Sequence, residues 1–145
     1  MENTILYRFK ELKLTQFSTF DSNYSDEDGE IEIQNFFRFT YESTENVLSC
    51  TTRIKISSHK KDILKADLDS IFQLAPQSVK NLKDGEDIVL SPALLIQFAS
   101  LSYGSMRGIL YAKTMGTPLS KIILPPNNFS NIFTEPLYLS AAVDR

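Results

Sequence analysis

Hydrophobic and polar positions alternate with a period of two through much of the first half of the chain. Over residues 31–41, Ile31, Ile33, Phe37, Phe39 and Tyr41 share one face with Asn35, and Glu32, Gln34, Phe36, Arg38 and Thr40 share the other. That is the pattern of a half-buried strand. Residues 47–56 repeat it, with Leu48, Cys50, Thr52, Ile54 and Ile56 inward and Ser49, Thr51, Arg53 and Lys55 outward. Residues 63–74 give another strand, with Leu64, Ala66, Leu68, Phe72 and Leu74 on one face. The polar turns 42–46 and 57–62 are short, which predicts antiparallel hairpins in a meander. Residues 5–20 are expected as the first strand, because their neighbours are strands, with a helix as the alternative that Lys10 to Lys13 also suit; their phase slips by one between Phe9 and Leu12, as a bulge would make it slip. The loop over 18–30 is the longest connection among the strands, and it either joins neighbours or carries the chain past an intervening strand.

The period then changes. Ser91 and Pro92 are a helix start, a capping hydroxyl followed by a first-turn proline. Leu95, Phe98, Ala99, Met106, Ile109 and Leu110 recur at helical spacing over 92–115, and Gly116 and Pro118 end the run. A helix of that length spans roughly 36 Å. Residues 75–90 are expected mostly as loop and 119–128 as extended chain. Asn127 or Asn128 caps a last short helix carrying Phe129, Ile132 and Phe133, and 136–145 are expected as a loosely held tail. The expectation is one α+β domain over 1–145: a four-stranded antiparallel sheet, one long helix and a short C-terminal helix.

Composition narrows the function. Hydrophobic content of 42% and charged content of 23% are ordinary for a globular domain. A net charge of -3 argues against nucleic acid, whose phosphates need a basic face. No apolar stretch is long enough for a membrane span, no secretory leader is evident, and Cys50 is the single cysteine. These features suit a cytoplasmic protein without disulfides. The six carboxylates between Asp21 and Glu32 are expected as a solvated loop, with docking of a basic partner as the alternative.

Candidate chemistry is sparse. One histidine and one cysteine make no metal-ligand pattern. His59 sits in a hairpin turn beside two lysines, and Cys50 faces the apolar side of a strand. Gly104-Ser105-Met106-Arg107-Gly108 has the wrong spacing for a nucleophile elbow and lies inside a helix. No phosphate-binding glycine pattern is present. No enzyme and no cofactor are expected. What remains is apolar surface: Phe17, Phe20 and Tyr24 around the first loop, Phe36 on a polar strand face, and Phe129, Ile132, Phe133 and Leu137 near the end. They pack together or line a groove.

The segment LPPNNFSNIF supplies a resemblance. Leu124, Pro126, Asn128 and Phe129, with Phe133 closing the run, resemble the C-terminal signature of the SecB export chaperones, and the helix ending in Met115-Gly116-Thr117-Pro118 is similar to that family's long helix. More specifically, the chain resembles divergent SecB-like proteins found outside the best-studied export systems. The resemblance implies a SecB-like sheet with helices on one face. It implies dimers paired into a homotetramer by packing of long helices, for which Ala99, Ser102, Ser105 and Gly108 are the candidate residues. It also implies an ATP-independent holdase for protein export, binding unfolded polypeptide clients in apolar grooves and handing them to the SecA motor. The client-binding candidates are Phe17, Phe20, Tyr24, Phe36, Ile132 and Phe133. Some SecB-like proteins instead serve toxin–antitoxin systems, which gives the alternative of a chaperone with one dedicated client. The first loop lacks the family's tryptophan, and the tail after Phe133 differs.

Overall fold

The structure is a computed structural model that describes residues 4–25 and 30–140. The acidic loop therefore lies partly, and the end of the expected tail wholly, outside the described residues. Four long strands match the alternation: β1 (Tyr7–Thr19), β2 (Glu32–Glu42), β3 (Val47–Ser58) and β4 (Lys61–Leu74). They form one antiparallel sheet in the order β1-β4-β3-β2. The first connection is thus a crossover, and strands adjacent in sequence occupy opposite edges. Apolar matching accounts for it. Tyr7, Phe9, Leu14 and Phe17 of β1 stand opposite Leu74, Phe72, Leu68 and Ala66 of β4, so both rows share the inner face. The register slips between Phe9 and Glu11, where the phase slips in sequence. A second slip, between Leu14 and Gln16, returns Phe17 to the inner face.

The β3–β4 hairpin closes on His59 and Lys60, at φ 49° and 66°. A two-residue loop with both residues at positive φ matches the right-handed strand twist, but His59 and Lys60 are not the Asn-Gly pair that this turn favours, and Lys60 carries a Cβ where glycine is preferred. Replacing the pair (His59→Asn with Lys60→Gly) is expected to raise unfolding free energy by about 1–2 kcal/mol. The urea midpoint should rise with an unchanged slope; an unchanged midpoint refutes the strain.

The long helix comes after a part of the chain that departs from expectation. Residues 75–90 are not mostly loop but contain helix α1 (Pro76–Leu82) and strands β5 (Lys83–Asp84) and β6 (Asp87–Leu90), turned at Gly85 with φ 66°. Helix α2 (Pro92–Thr114) follows, and the Ser91 hydroxyl accepts from the Leu94 N–H at 3.3 Å, as the capping signal predicts. The expected last helix is only a single 3-10 turn, Phe129–Asn131. The tail is not loose over its described part: β7 (Leu137–Ser140) pairs antiparallel with β6, giving a small sheet β5-β6-β7. Strands of two to four residues are too short to show a period, and β7's partner lies far away in sequence.

The core lies between the inner face of the large sheet and α2. Leu48, Ile54, Leu68 and Phe72 from the sheet and Phe98, Ala99 and Met106 from the helix are fully or almost fully buried. The opposite sheet face is polar. There Arg53 forks onto Asp67, Nε to Oδ1 at 3.0 Å and Nη2 to Oδ2 at 3.1 Å.

Cys50 is buried beneath α2, and burial pushes its thiol up to about 11, only weakly opposed by the neighbouring Ser102 and Thr52 hydroxyls. The hydroxyls of Thr52, Ser70 and Ser102 are buried in the same seam, those of Thr52 and Ser102 beside the Cys50 thiol. A thiol raised in the fold favours folding below its unfolded value, near 8.5, and that contribution fades as pH climbs toward 11. Alkylation of Cys50 at pH 8 is expected to wait for unfolding and to accelerate with urea in step with loss of structure. Rapid labelling of the native chain would refute burial of this site.

Candidate functional site

The segment after α2 is held by its backbone. Thr117 starts a 3-10 turn, Pro118–Lys121, and the Arg107 Nε–H donates to the Leu124 carbonyl at 2.9 Å. The Tyr103 hydroxyl donates to the Pro125 carbonyl at 2.8 Å, and burial raises this phenol above its ordinary value. The Asn128 Oδ1 accepts from the Ser130 N–H at 3.1 Å and so caps the next turn. Phe129 is buried against Phe37 and Tyr103, with ring centroids 5.1 and 5.6 Å apart. Leu124 is buried as well. Leu124, Asn128, Phe129 and Phe133 of the sequence signature are thus anchors, while Pro126 is exposed.

Between the 3-10 turn and those anchors the chain is a ridge with a cleft on each side. Alternation buries Leu124, half-buries Ile122 and turns Ile123 outward at 68% exposure. A cleft of about 260 Å³ separates Ile122 and Ile123 from Tyr24, Ile31 and Ile33 at the start of β2. On the other side, about 330 Å³ lies between the same two isoleucines and Gly104, Arg107, Gly108 and Tyr111 of α2. A Cβ added at either glycine would meet nothing within 4 Å, so this helix face is open. Tyr111 and Met115 are exposed nearby along the helix, at 53% and 66%. An apolar surface of this kind can take up apolar side chains without reading a particular sequence.

The sequence candidates separate in space. Tyr24 lines the first cleft. Phe17 is half-buried on the inner face of β1, and Phe20, just beyond it, is 40% exposed. Phe133 belongs to an aromatic cluster with Phe37, Phe39 and Phe129, while Ile132 beside it is exposed. The inner row of β2 links these places. Ile31 and Ile33 face the cleft, Phe37 and Phe39 face the cluster, and between them Asn35 holds an Oδ1 with no partner among the described residues. Phe36 stands apart: strand alternation puts it on the outer face, 58% exposed, and the structure does not bring it to the others. Among the small helix residues, Ala99 and Ser102 are fully buried within the chain's own core, Ser105 is half-buried and donates to the Leu101 carbonyl, and Gly108 faces the second cleft. Sequence reasoning missed Ile123 and Tyr111. The Ile122-Ile123-Leu124 run was a signal for Ile123, because an extended segment cannot bury three consecutive apolar side chains on one side.

Among the described residues no cluster of histidine, cysteine or carboxylate could hold a metal, and no helix is long and apolar enough to cross a membrane. No protein-family model matches the sequence, and no curated protein matches it. Among solved structures the chain is similar to Rv1957, a SecB-like chaperone of Mycobacterium tuberculosis, solved with a ChAD peptide from the Rv1956 HigA1 antitoxin. The match has a TM-score of 0.52 at 10% identity and covers 82% of this chain and 89% of the other. The fold is therefore SecB-like, an antiparallel sheet carrying one long helix.

Proposed function

We propose that this chain is a divergent SecB-like chaperone, an ATP-independent holdase that binds non-native polypeptide and carries no catalysis. The observation that carries the reading is Ile123: a large apolar side chain, mostly exposed, on a backbone held before it by the 3-10 turn Pro118–Lys121 and after it by Arg107 and Tyr103, between two clefts of a SecB-like fold. A preorganised apolar ridge loses little entropy on binding, and no nucleotide site is needed. Tyr24, Ile132 and Phe133 extend the client surface along the inner face of β2, and Phe17 and Phe20 extend it at β1. Purified protein should slow aggregation of a chemically unfolded client without ATP, and no protection at several-fold excess would overturn the reading.

The smooth α2 face at Gly104 and Gly108 supports packing between copies into a dimer or tetramer. A monomeric solution mass would remove that part. Export by way of SecA in the cytoplasm is the finer form of the proposal, tested by co-purification with SecA. The antitoxin peptide on the similar mycobacterial protein favours a second reading, a chaperone with one dedicated client. A pull-down dominated by a single protein separates that reading from a general holdase.

A further inference from the structure

We infer that the edge of β6 is a second docking site for extended apolar polypeptide, occupied in cis by β7, and that a client enters by displacing β7. The inference rests on the holdase reading and adds to it a mechanism of entry. The segment Leu137-Tyr138-Leu139-Ser140 already shows what this edge accepts. Its leucines are half-buried opposite Leu90 and Ile88, while Tyr138 points out at 56% exposure opposite Val89. An extended, alternately apolar strand is the form in which a holdase meets an unfolded chain.

The attachment of β7 suits exchange. It is a four-residue edge strand, held by one ladder only, at the rim of a small sheet whose strands are all short. Thr134, Glu135 and Pro136, which lead into it, are all exposed. Firm anchoring stops upstream, at Phe129 and Phe133. The strand hides valuable surface, since Ile88 and Leu90 of β6 are almost fully buried and β7 also lies against β2, whose Phe39 and Tyr41 are buried. At its far end a cleft of about 450 Å³, lined by Tyr41, Ile88 and Ser140 among others, gives an incoming strand a place to start. Low-stability edge elements of this kind are the ones that open first.

The test is a reversible lock in the full chain. Val89→Cys with Tyr138→Cys places two thiols at directly opposed, outward positions within disulfide reach. Cys50, fully buried, stays out of the reaction. Binding of a permanently unfolded, carboxymethylated protein is measured with the lock oxidised and reduced. Oxidation is expected to lower affinity by about tenfold or more, because the competent state is no longer populated, and reduction should restore it. A second variant, Leu139→Asp, loosens the strap and is expected to raise affinity. Equal affinity of locked and reduced forms overturns the inference and leaves the holdase reading standing. A disulfide that forms only between two copies overturns occupancy in cis. If the unaltered chain binds no unfolded protein, both readings fall.

Discussion

Phe72→Ala is expected to destabilise the chain by about 3–5 kcal/mol. Phe72 is fully buried where β1, β3, β4 and α2 meet. It pairs with Phe9 across one ladder and with Leu48 across the other. Its ring lies 4.6 Å from that of Phe9, 4.8 Å from Phe98 and 5.8 Å, edge-on, from Tyr7. Truncation therefore removes a transfer contribution and leaves a void that four elements border, so no single side chain can relax to fill it. Against a typical total of about 5–15 kcal/mol, the loss is a large fraction of the whole. The melting midpoint should fall by roughly 10 °C or more. Phe72→Leu retains most of the volume and should cost clearly less. Urea titrations of both variants check the claim; a loss under about 1 kcal/mol for alanine would mean that this junction does not hold the sheet and helix together.

Ile123→Asp is expected to leave stability nearly unchanged and to remove most client binding. The side chain is 68% exposed, so little apolar burial is lost on substitution, and the backbone it rides on is held by Arg107 and Tyr103 rather than by its own contacts. In a bound complex the same side chain would be buried, with a contribution of about 1.5–3 kcal/mol that a carboxylate reverses. That corresponds to a loss of affinity of roughly tenfold to a hundredfold. Phe36→Asp is the informative companion, because Phe36 is similarly exposed but lies on the outer sheet face. Aggregation protection should collapse for the first variant and persist for the second. The reverse outcome would move the client surface to the other side of the sheet, where Arg53 and Asp67 lie.

The large sheet was legible because its strands are long and one face of it is wet. Eleven to fourteen residues of alternation leave little room for another register, and the bulge in β1 is visible as the odd spacing from Phe9 to Leu12. Helix α2 announced itself through its cap and its stop. The small sheet was not legible. Its inward residues, Ile88, Leu90, Leu137 and Leu139, come as two pairs nearly fifty residues apart, and a pair has no period. The site was legible by parts. Aromatic residues in polar surroundings pointed to Tyr24 and to the Phe129–Phe133 region, but alternation alone could not say whether Phe36 and Phe133 would face a groove. Phe133 entered an aromatic cluster and Phe36 faced away. The small residues of α2 likewise divided by helical phase: Ala99 and Ser102 went to the sheet, and Gly104 and Gly108 to open space.

The crossover of β1 has a consequence for how the chain is made. A strand that emerges first can pair only with β4, which begins more than 40 residues after β1 ends. On the ribosome, Phe9, Leu12, Leu14 and Phe17 must wait for a few seconds of synthesis before their partner row exists. During that interval the nascent chain carries an unpaired, apolar, extended segment, while β2 and β3 can already close as a local hairpin. The lysines at positions 10 and 13 and the two register slips make that waiting edge a poor template for other strands. Until β4 has been made, a protein of this topology presents the kind of segment that a holdase would be asked to hold.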